Sequence, residues 1–135
     1  MEEAMLKFCL TLILMFIIIS CKDNLTTVYD NEHDYRSANY VPDAPQNFRI
    51  IEYNDTTVSF MWDDVSNGED GFIIEMKLYD PKVSSIYERI GVVEKDVNIF
   101  EYQHNFIKDK FYFFKVWSYS KNNISLKYAY GHLKI

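Results

Sequence analysis

One stretch near the C-terminus constrains the fold more than any other part of the chain. Residues Lys110 to Ser120 read KFYFFKVWSYS. The pattern alternates strictly, so Tyr112, Phe114 and Val116 would point to one side of a strand and the residues between them to the other. A period of two in aromatic and β-branched residues predicts a strand near the middle of a sheet. Large rings occur on both sides, so neither side has the composition of an ordinary solvent-facing surface.

The composition supports a β-rich domain and excludes one class of partner. The chain has 135 residues, which allows one domain with an extension. Aromatic residues make up 17% of it, a high share that suits pleated, half-buried surfaces. The formal net charge is -6, and no basic stripe exists to neutralise phosphates. We therefore expect no nucleic-acid partner.

Short alternating runs recur along the second part of the chain and are separated by turn residues. No segment has a sustained helical spacing of apolar residues. This pattern predicts an all-β fold, a seven-stranded antiparallel β-sandwich of the immunoglobulin-like kind. The predicted strands lie at Phe48–Ile50, Val58–Trp62, Phe72–Met76, Tyr87–Val93, Asn98–Tyr102, Phe111–Ser120 and Leu126–Ile135.

Several short motifs in this region resemble those of a fibronectin type III domain. They are Pro45-x-x-Phe48-x-Ile50, Val58-x-Phe60-x-Trp62, Gly71-Phe72-x-Ile74-Glu75, and Phe106 six residues before Tyr112-x-Phe114-Lys115-Val116-x-Ser118. The resemblance covers 42–135. It implies that Trp62 is the core tryptophan of the second strand and that Tyr112 is the tyrosine-corner residue. Lys108 and Lys110 depart from the proline and threonine common before that tyrosine, and the fold alone implies no activity.

The N-terminal residues 1–20 are predicted to be a secretory signal peptide. An apolar run from Phe8 to Ser20 follows a lysine. As a helix it would span roughly 20 Å, which is short of the hydrocarbon core of about 30 Å. Such a run is typical of the apolar region of a signal peptide. Glu2 and Glu3 fit the start of a signal peptide poorly, and a start at Met5 would remove them.

The end of this run resembles the lipobox of bacterial lipoproteins. It reads Ile18-Ile19-Ser20-Cys21. The resemblance implies lipid attachment to the thiol of Cys21, a membrane as partner, and a place in the bacterial cell envelope, at the outer membrane or cell surface. Several acyl chains would provide a lasting anchor. An ordinary signal peptide or a short anchor that contains a cysteine is the alternative interpretation.

The chain after the anchor is predicted to form a tether and then one domain. Residues 21–41 comprise the lipidated cysteine and a flexible tether, because few aliphatic and several charged residues cannot bury enough to offset their ordering entropy. The domain is expected at 42–135. From Lys22 onward there is no cysteine, so this region has neither a disulfide nor a cysteine-based metal site.

The sequence contains no recognisable catalytic, cofactor or metal site. The acidic loop Asp63–Gly71 invites a calcium interpretation, but in an EF-hand alignment Val65 and Ile74 fall where oxygen ligands are required. We therefore interpret it as an ordinary polar loop. His104 and His132 are far apart in sequence, and no Ser or Cys nucleophile motif accompanies them. The chain is not expected to be an enzyme.

The outward side of the opening strand is the candidate binding face. If Tyr112 and its alternate neighbours face the core, then Phe113, Trp117 and Tyr119 face outward, and Ile73 on the neighbouring strand joins them. Tyr128 and Tyr130, or the residues beside them, would extend the face. Aromatic residues anchor protein interfaces and also stack on sugar rings, so a protein partner is expected and a glycan is the alternative. The opposing interpretation is that the stems of Glu75, Lys77 and Lys115 cover these rings.

Overall fold

The computed structural model describes residues 31–82, 85–121 and 123–135. These residues form eight β-strands. They are β1 Gln46–Tyr53, β2 Thr57–Asp63, β3 Gly71–Tyr79, β4 Glu88–Glu94, β5 Ile99–Gln103, β6 Phe111–Ser120, β7 Asn123–Ile124 and β8 Ala129–Lys134.

The strands form two antiparallel sheets that pack as a sandwich. One sheet has the order β1-β2-β5, and the other has the order β4-β3-β6, with β7 and β8 both paired to β6. The predicted all-β sandwich is confirmed, and β6 is central in its sheet, as its alternation indicates. The last predicted strand, Leu126–Ile135, corresponds to β8, and the two-residue strand β7 lies before it and was not predicted. The chain turns between them, where the Ser125 hydroxyl donates a hydrogen bond to the Lys127 carbonyl at 2.7 Å.

The core lies between the sheets and is built mainly from the inward residues of β2, β3 and β6. Phe60 is fully buried, and its ring centroid lies 4.6 Å from that of Phe114 on the opposite sheet. Because the inward positions of each strand carry large apolar side chains, their burial provides most of the stabilisation. The fully buried apolar residues include Val58, Phe60, Trp62, Phe72, Ile74, Phe114 and Val116.

Two glycines make room for rings that cross between the sheets. A Cβ added to Gly131 would lie 2.3 Å from the ring of Phe48, and one added to Gly91 would lie 2.3 Å from the ring of Phe100. Both phenylalanines belong to the β1-β2-β5 sheet. A side chain at either glycine would therefore push the two sheets apart locally.

Residues 31–41, which we call the docked segment, lie against the sandwich, in contrast to the expectation of a flexible tether. Ser37 is fully buried, and Tyr40 is only 7% exposed. The Lys121 ammonium donates to the Ser37 carbonyl at 3.0 Å, and the Asn123 amide donates to the Tyr40 carbonyl at 3.0 Å. The Tyr40 hydroxyl lies 3.0 Å from that of Ser66. The amino-acid composition of this segment could not predict the packing, because one tyrosine and a few hydrogen bonds provide it.

The predictions about the signal peptide, Cys21 and the first part of the tether concern residues outside the described ranges. Within the described ranges, no helix is long and apolar enough to cross a membrane.

Candidate binding face

The outward residues of β3, β6 and β8 lie side by side in register. Ile73 pairs with Trp117, and Lys77 pairs with Phe113. On the other flank of β6, Phe113 pairs with His132. The structure thus places Ile73, Phe113 and Trp117 on one side of one sheet, and each of them is half-buried.

Tyr119, the fourth residue expected on this face, lies at its end. It pairs with Gly71, at the start of β3, and is also half-buried. Tyr128 and Tyr130 both belong to the face, which resolves the alternative that the sequence left open. We call this side of the sheet the aromatic face, and its rings are Tyr79, Tyr87, Phe111, Phe113, Trp117, Tyr119, Tyr128 and Tyr130.

The rings contact one another in two groups. Phe113 stacks on Tyr130 with centroids 6.1 Å apart and meets Tyr79 edge-on at 5.9 Å. Trp117 packs against Tyr128 at 4.6 Å. Such pairs contribute about 0.5–1.5 kcal/mol beyond their buried area. The face is therefore a packed aromatic surface and not a set of isolated rings.

Two lysines lie between these groups. The Lys115 ammonium is 3.9 Å from the ring centroid of Tyr87, 4.2 Å from that of Tyr128 and 5.6 Å from that of Trp117. The Lys77 ammonium is 4.8 Å from the Tyr87 centroid. These distances are within the range of cation–π attraction. The opposing interpretation was that lysine stems cover these rings, and the ammonium groups of Lys77 and Lys115 do lie over them.

A hydrogen bond fixes the orientation of Trp117. Its indole Nε1 donates to Oε2 of Glu75 at 2.9 Å. An indole N–H is a donor only, and its acceptor here comes from the neighbouring strand. The ring is thereby held in one position before any ligand arrives.

Sequence reasoning missed three rings of the face, Tyr79, Tyr87 and Phe111. Tyr87 was predicted as the first residue of a strand, but it lies just before β4, and its ring lies under the ammonium groups of Lys77 and Lys115. Burial raises the pKa of its hydroxyl, and the neighbouring Tyr130, Tyr128 and Glu75 raise it further. Tyr87 therefore stays neutral across the physiological pH range.

Part of the face remains open to solvent despite these contacts. Tyr130 is 47% exposed, Tyr128 is 42% exposed and Tyr79 is 46% exposed. A contiguous exposed apolar surface of this kind on a small domain marks a contact site more often than an inert one.

The two residues expected to be structural lie in the interior. Trp62 is fully buried and meets Phe72 edge-on, with centroids 5.3 Å apart. Tyr112 is 1% exposed, and its hydroxyl oxygen accepts a hydrogen bond from the Ile107 N–H at 2.7 Å. This bond joins the start of β6 to the chain before it.

The two histidines of the domain lie in different surroundings. His104 stacks on Tyr102 at the end of β5, and His132 packs on Phe113 in the aromatic face. His104 also meets Tyr112 on the inward side of β6, whereas Phe113 lies on the outward side of that strand. The structure does not bring the two histidines together.

Comparisons with known proteins give the fold but no closer relationship. No protein-family model matches the chain, and no curated protein matches it. Among solved structures, a fibronectin type III domain of human collagen XX aligns with a TM-score of 0.56 and 14% identity over 69% of this chain and 91% of that one. A two-domain fibronectin type III segment of chicken tenascin aligns with a TM-score of 0.56 and 12% identity over 70% of this chain and 51% of that one. A myokine structure aligns with a TM-score of 0.51 and 21% identity over 69% of this chain and 96% of that one. The chain thus has the fold of a fibronectin type III domain.

Proposed function

We propose that this chain is a lipid-anchored, extracytoplasmic binding module that holds a protein partner on its aromatic face. The fold is commonly a binding or scaffold module and implies no catalysis. Lipid on Cys21 would keep the module in the bacterial cell envelope, at the outer membrane or cell surface. The observation that carries the proposal is the packed and partly open row of rings on one side of the β4-β3-β6-β8 sheet.

The charges on the aromatic face favour a partner with acidic side chains. Lys77 and Lys115 lie among its rings, in a chain whose net charge is -6, whereas Lys134 at the end of the face is paired with Asp109 at 3.7 Å. The acid between them, Glu75, accepts the hydrogen bond from Trp117. A protein surface that presents carboxylates beside apolar residues would complement this arrangement and would be steered towards it.

Site-specific photo-crosslinking in intact cells that natively carry the chain tests this proposal. A photoreactive phenylalanine analogue would replace Tyr130 on the aromatic face. A matched control would replace Tyr53, which is 56% exposed on β1 of the other sheet. We expect a discrete protein adduct from position 130 and none from position 53. The adduct should be lost in Lys115→Glu, because the charge at the centre of the face is reversed.

Three results would overturn the proposed partner surface. They are equal adducts at both positions, no adduct at position 130, and an adduct that persists in Lys115→Glu. Thermal unfolding of Lys115→Glu would show that the variant is folded before the comparison is made.

The proposed anchor has its own test. In Cys21→Ala, labelling with radioactive palmitate should be lost and the chain should leave the membrane fraction. Cys9→Ala is the control, because the lipobox resemblance assigns no lipid to Cys9. Unchanged labelling in Cys21→Ala would contradict the anchor without bearing on the aromatic face.

A glycan ligand is the second candidate, because Tyr128 and Tyr130 offer neighbouring exposed rings. Flat rings of this kind stack on sugars. Trp62 is fully buried, so a ligand-induced change in tryptophan fluorescence would report on Trp117. Saturable quenching by one glycan from an array, lost in Tyr128→Ala, which keeps the reporting tryptophan, would indicate a sugar as the ligand in place of a protein.

A further inference from the structure

Three carboxylates from two loops meet at one end of the sandwich. Asp64 and Glu69 belong to the loop between β2 and β3, and Asp96 belongs to the turn between β4 and β5. One carboxylate oxygen from each lies within 4.8 Å of the others. The loop is the acidic stretch that fails the EF-hand alignment, and the third carboxylate comes from elsewhere in the chain.

Glu69 is the unusual member of this cluster. It is only 6% exposed, and its Oε2 is fully buried without a hydrogen-bond partner among the described residues. Burial raises the pKa of its carboxyl, and the charges of Asp64 and Asp96 contribute to the rise. Hydrogen bonds from the backbone and from Ser66 lower the pKa and partly oppose this rise. A buried carboxylate oxygen without a partner is costly unless a proton or a cation neutralises the group.

Among the described residues, none forms an ion pair with this cluster. Within the described ranges, no Lys, Arg or His nitrogen lies within 4.0 Å of the three carboxylates. Lys95 and Lys121 line the same recess, but the Lys121 ammonium donates to the Ser37 carbonyl.

The loops that carry the carboxylates are held by local hydrogen bonds. The Ser66 N–H donates to Oδ1 of Asp64 at 3.0 Å, and the Asp70 N–H donates to the Tyr119 carbonyl at 2.7 Å. The Lys95 N–H donates to the Asp70 carbonyl at 3.1 Å, which ties the turn that contains Asp96 to the loop that contains Glu69. The backbone thus fixes the approach of the two loops.

We propose that Asp64, Glu69 and Asp96 bind a divalent cation, and that this cation is calcium. The cluster offers only carboxylate oxygens, which suit hard cations. Calcium takes ligands at about 2.3–2.6 Å, so two ligands on opposite sides of it lie about 4.6–5.2 Å apart. The observed span fits within that limit. Three carboxylates supply up to six oxygens, and water can complete the shell.

The site would join two loops next to the docked segment. A Cβ added to Gly68 would lie 2.2 Å from the Cβ of Tyr35, so this loop packs directly against that segment. Calcium would therefore strengthen the end of the sandwich where the chain enters from its anchor. This role is independent of the aromatic face.

Calorimetric titration and thermal unfolding of the full chain in detergent test the site. After removal of metal with a chelator, calcium chloride is added, with magnesium chloride in a parallel series. We expect one calcium per chain and a higher Tm. At a calcium concentration of about 100 times Kd, the folded-to-unfolded ratio should rise about 100-fold.

Variants distinguish two interpretations of the cluster, a cation site and a buried glutamic acid that is protonated and neutral. Asp96→Asn and Glu69→Gln should each lower calcium affinity at least tenfold, whereas Asp55→Asn, at an exposed acid outside the cluster, should bind as wild type does. Glu69→Gln removes a desolvated charge and is therefore expected to fold. Absence of binding heat and of a Tm shift at millimolar calcium would overturn the proposal, as would an equal Tm shift in Glu69→Gln. Tighter binding of magnesium than of calcium would overturn the assignment to calcium.

Discussion

At the scale of single residues, Tyr112 contributes through one hydrogen bond and one packed ring. Its hydroxyl accepts from Ile107, and its ring meets Phe106 edge-on at 5.0 Å. Tyr112→Phe keeps the ring and leaves the Ile107 N–H without its acceptor. We expect a loss of about 1–2 kcal/mol in the free energy of unfolding, measured by urea denaturation. Tyr130→Phe, at a half-exposed ring, should change it by less than about 0.5 kcal/mol. Equal effects in the two variants would contradict a structural role for the hydroxyl.

Glu69 predicts a pH dependence with a defined sign. Burial raises the pKa of its carboxyl above the usual 4.5, so the folded chain binds this proton more tightly than the unfolded chain does. Stability is therefore fully present below pH 4.5 and falls as the pH rises through the raised value. With chelator present, the unfolding free energy of wild type should fall relative to that of Glu69→Gln between pH 4.5 and neutrality. Parallel curves for the two proteins would contradict the burial of this charge.

Asp63 affects the pH dependence of stability in the opposite direction to Glu69. Hydrogen bonds from Asn47 and then Arg49 lower the pKa of its carboxyl below 3.8. Its contribution to stability is present above pH 3.8 and is lost as the pH falls through the lowered value. The two carboxyls therefore titrate in separate pH windows.

At the scale of elements, Lys115 joins the two aromatic groups of the sheet. Its ammonium lies over Tyr87 and Tyr128, whereas that of Lys134 lies 5.9 Å from the Phe111 ring centroid and 3.7 Å from Oδ1 of Asp109. Lys115→Met keeps the apolar stem and removes the charge. We expect a loss of about 1 kcal/mol in unfolding free energy, since each exposed cation–π contact contributes about 0.5–1 kcal/mol. A loss no larger than that of Lys134→Met would show that the stem alone matters.

The docked segment offers a second prediction at this scale. Tyr40 is buried, whereas Tyr35 is 58% exposed and contacts Gly68 through its Cβ. Tyr40→Ala should release the segment and speed trypsin cleavage after Arg36 by at least tenfold, measured by mass spectrometry. Tyr35→Ala keeps the Cβ contact and should leave the rate within about twofold of wild type. Equal acceleration in both variants would contradict anchoring by Tyr40.

Alternation of apolar and polar residues made the strands and their faces predictable. Contacts between segments distant in sequence could not be predicted in this way. The period of two in β6 assigns Tyr112, Phe114 and Val116 to the core, where each is at most 1% exposed. Tyr87 was predicted to begin a strand, but β4 begins at Glu88, and the tyrosine reaches the face from the segment before it. A motif such as the EF-hand is read along one stretch of sequence and so does not include Asp96. The turn that carries Asp96 meets the acidic loop only in the folded chain.

At the scale of the whole molecule, the sandwich is a fold that other proteins share at low sequence identity. Identities of 12–21% to solved structures accompany TM-scores of 0.51–0.56, so the likeness extends to the fold alone. Function must therefore be sought on surfaces. The aromatic face and the acidic cluster are two such features, and they use different side chains of the same domain.

Hydroxyl-radical footprinting in intact envelopes tests most directly whether a partner covers the aromatic face. The oxidation rates of Tyr128 and Tyr130 would be compared between cells and the purified full chain in detergent, with Tyr53 on the other sheet as reference. In cells we expect the rates at Tyr128 and Tyr130 to fall at least threefold while that of Tyr53 stays the same. Equal protection of all three, or no protection of Tyr128 and Tyr130, would contradict a partner on this face.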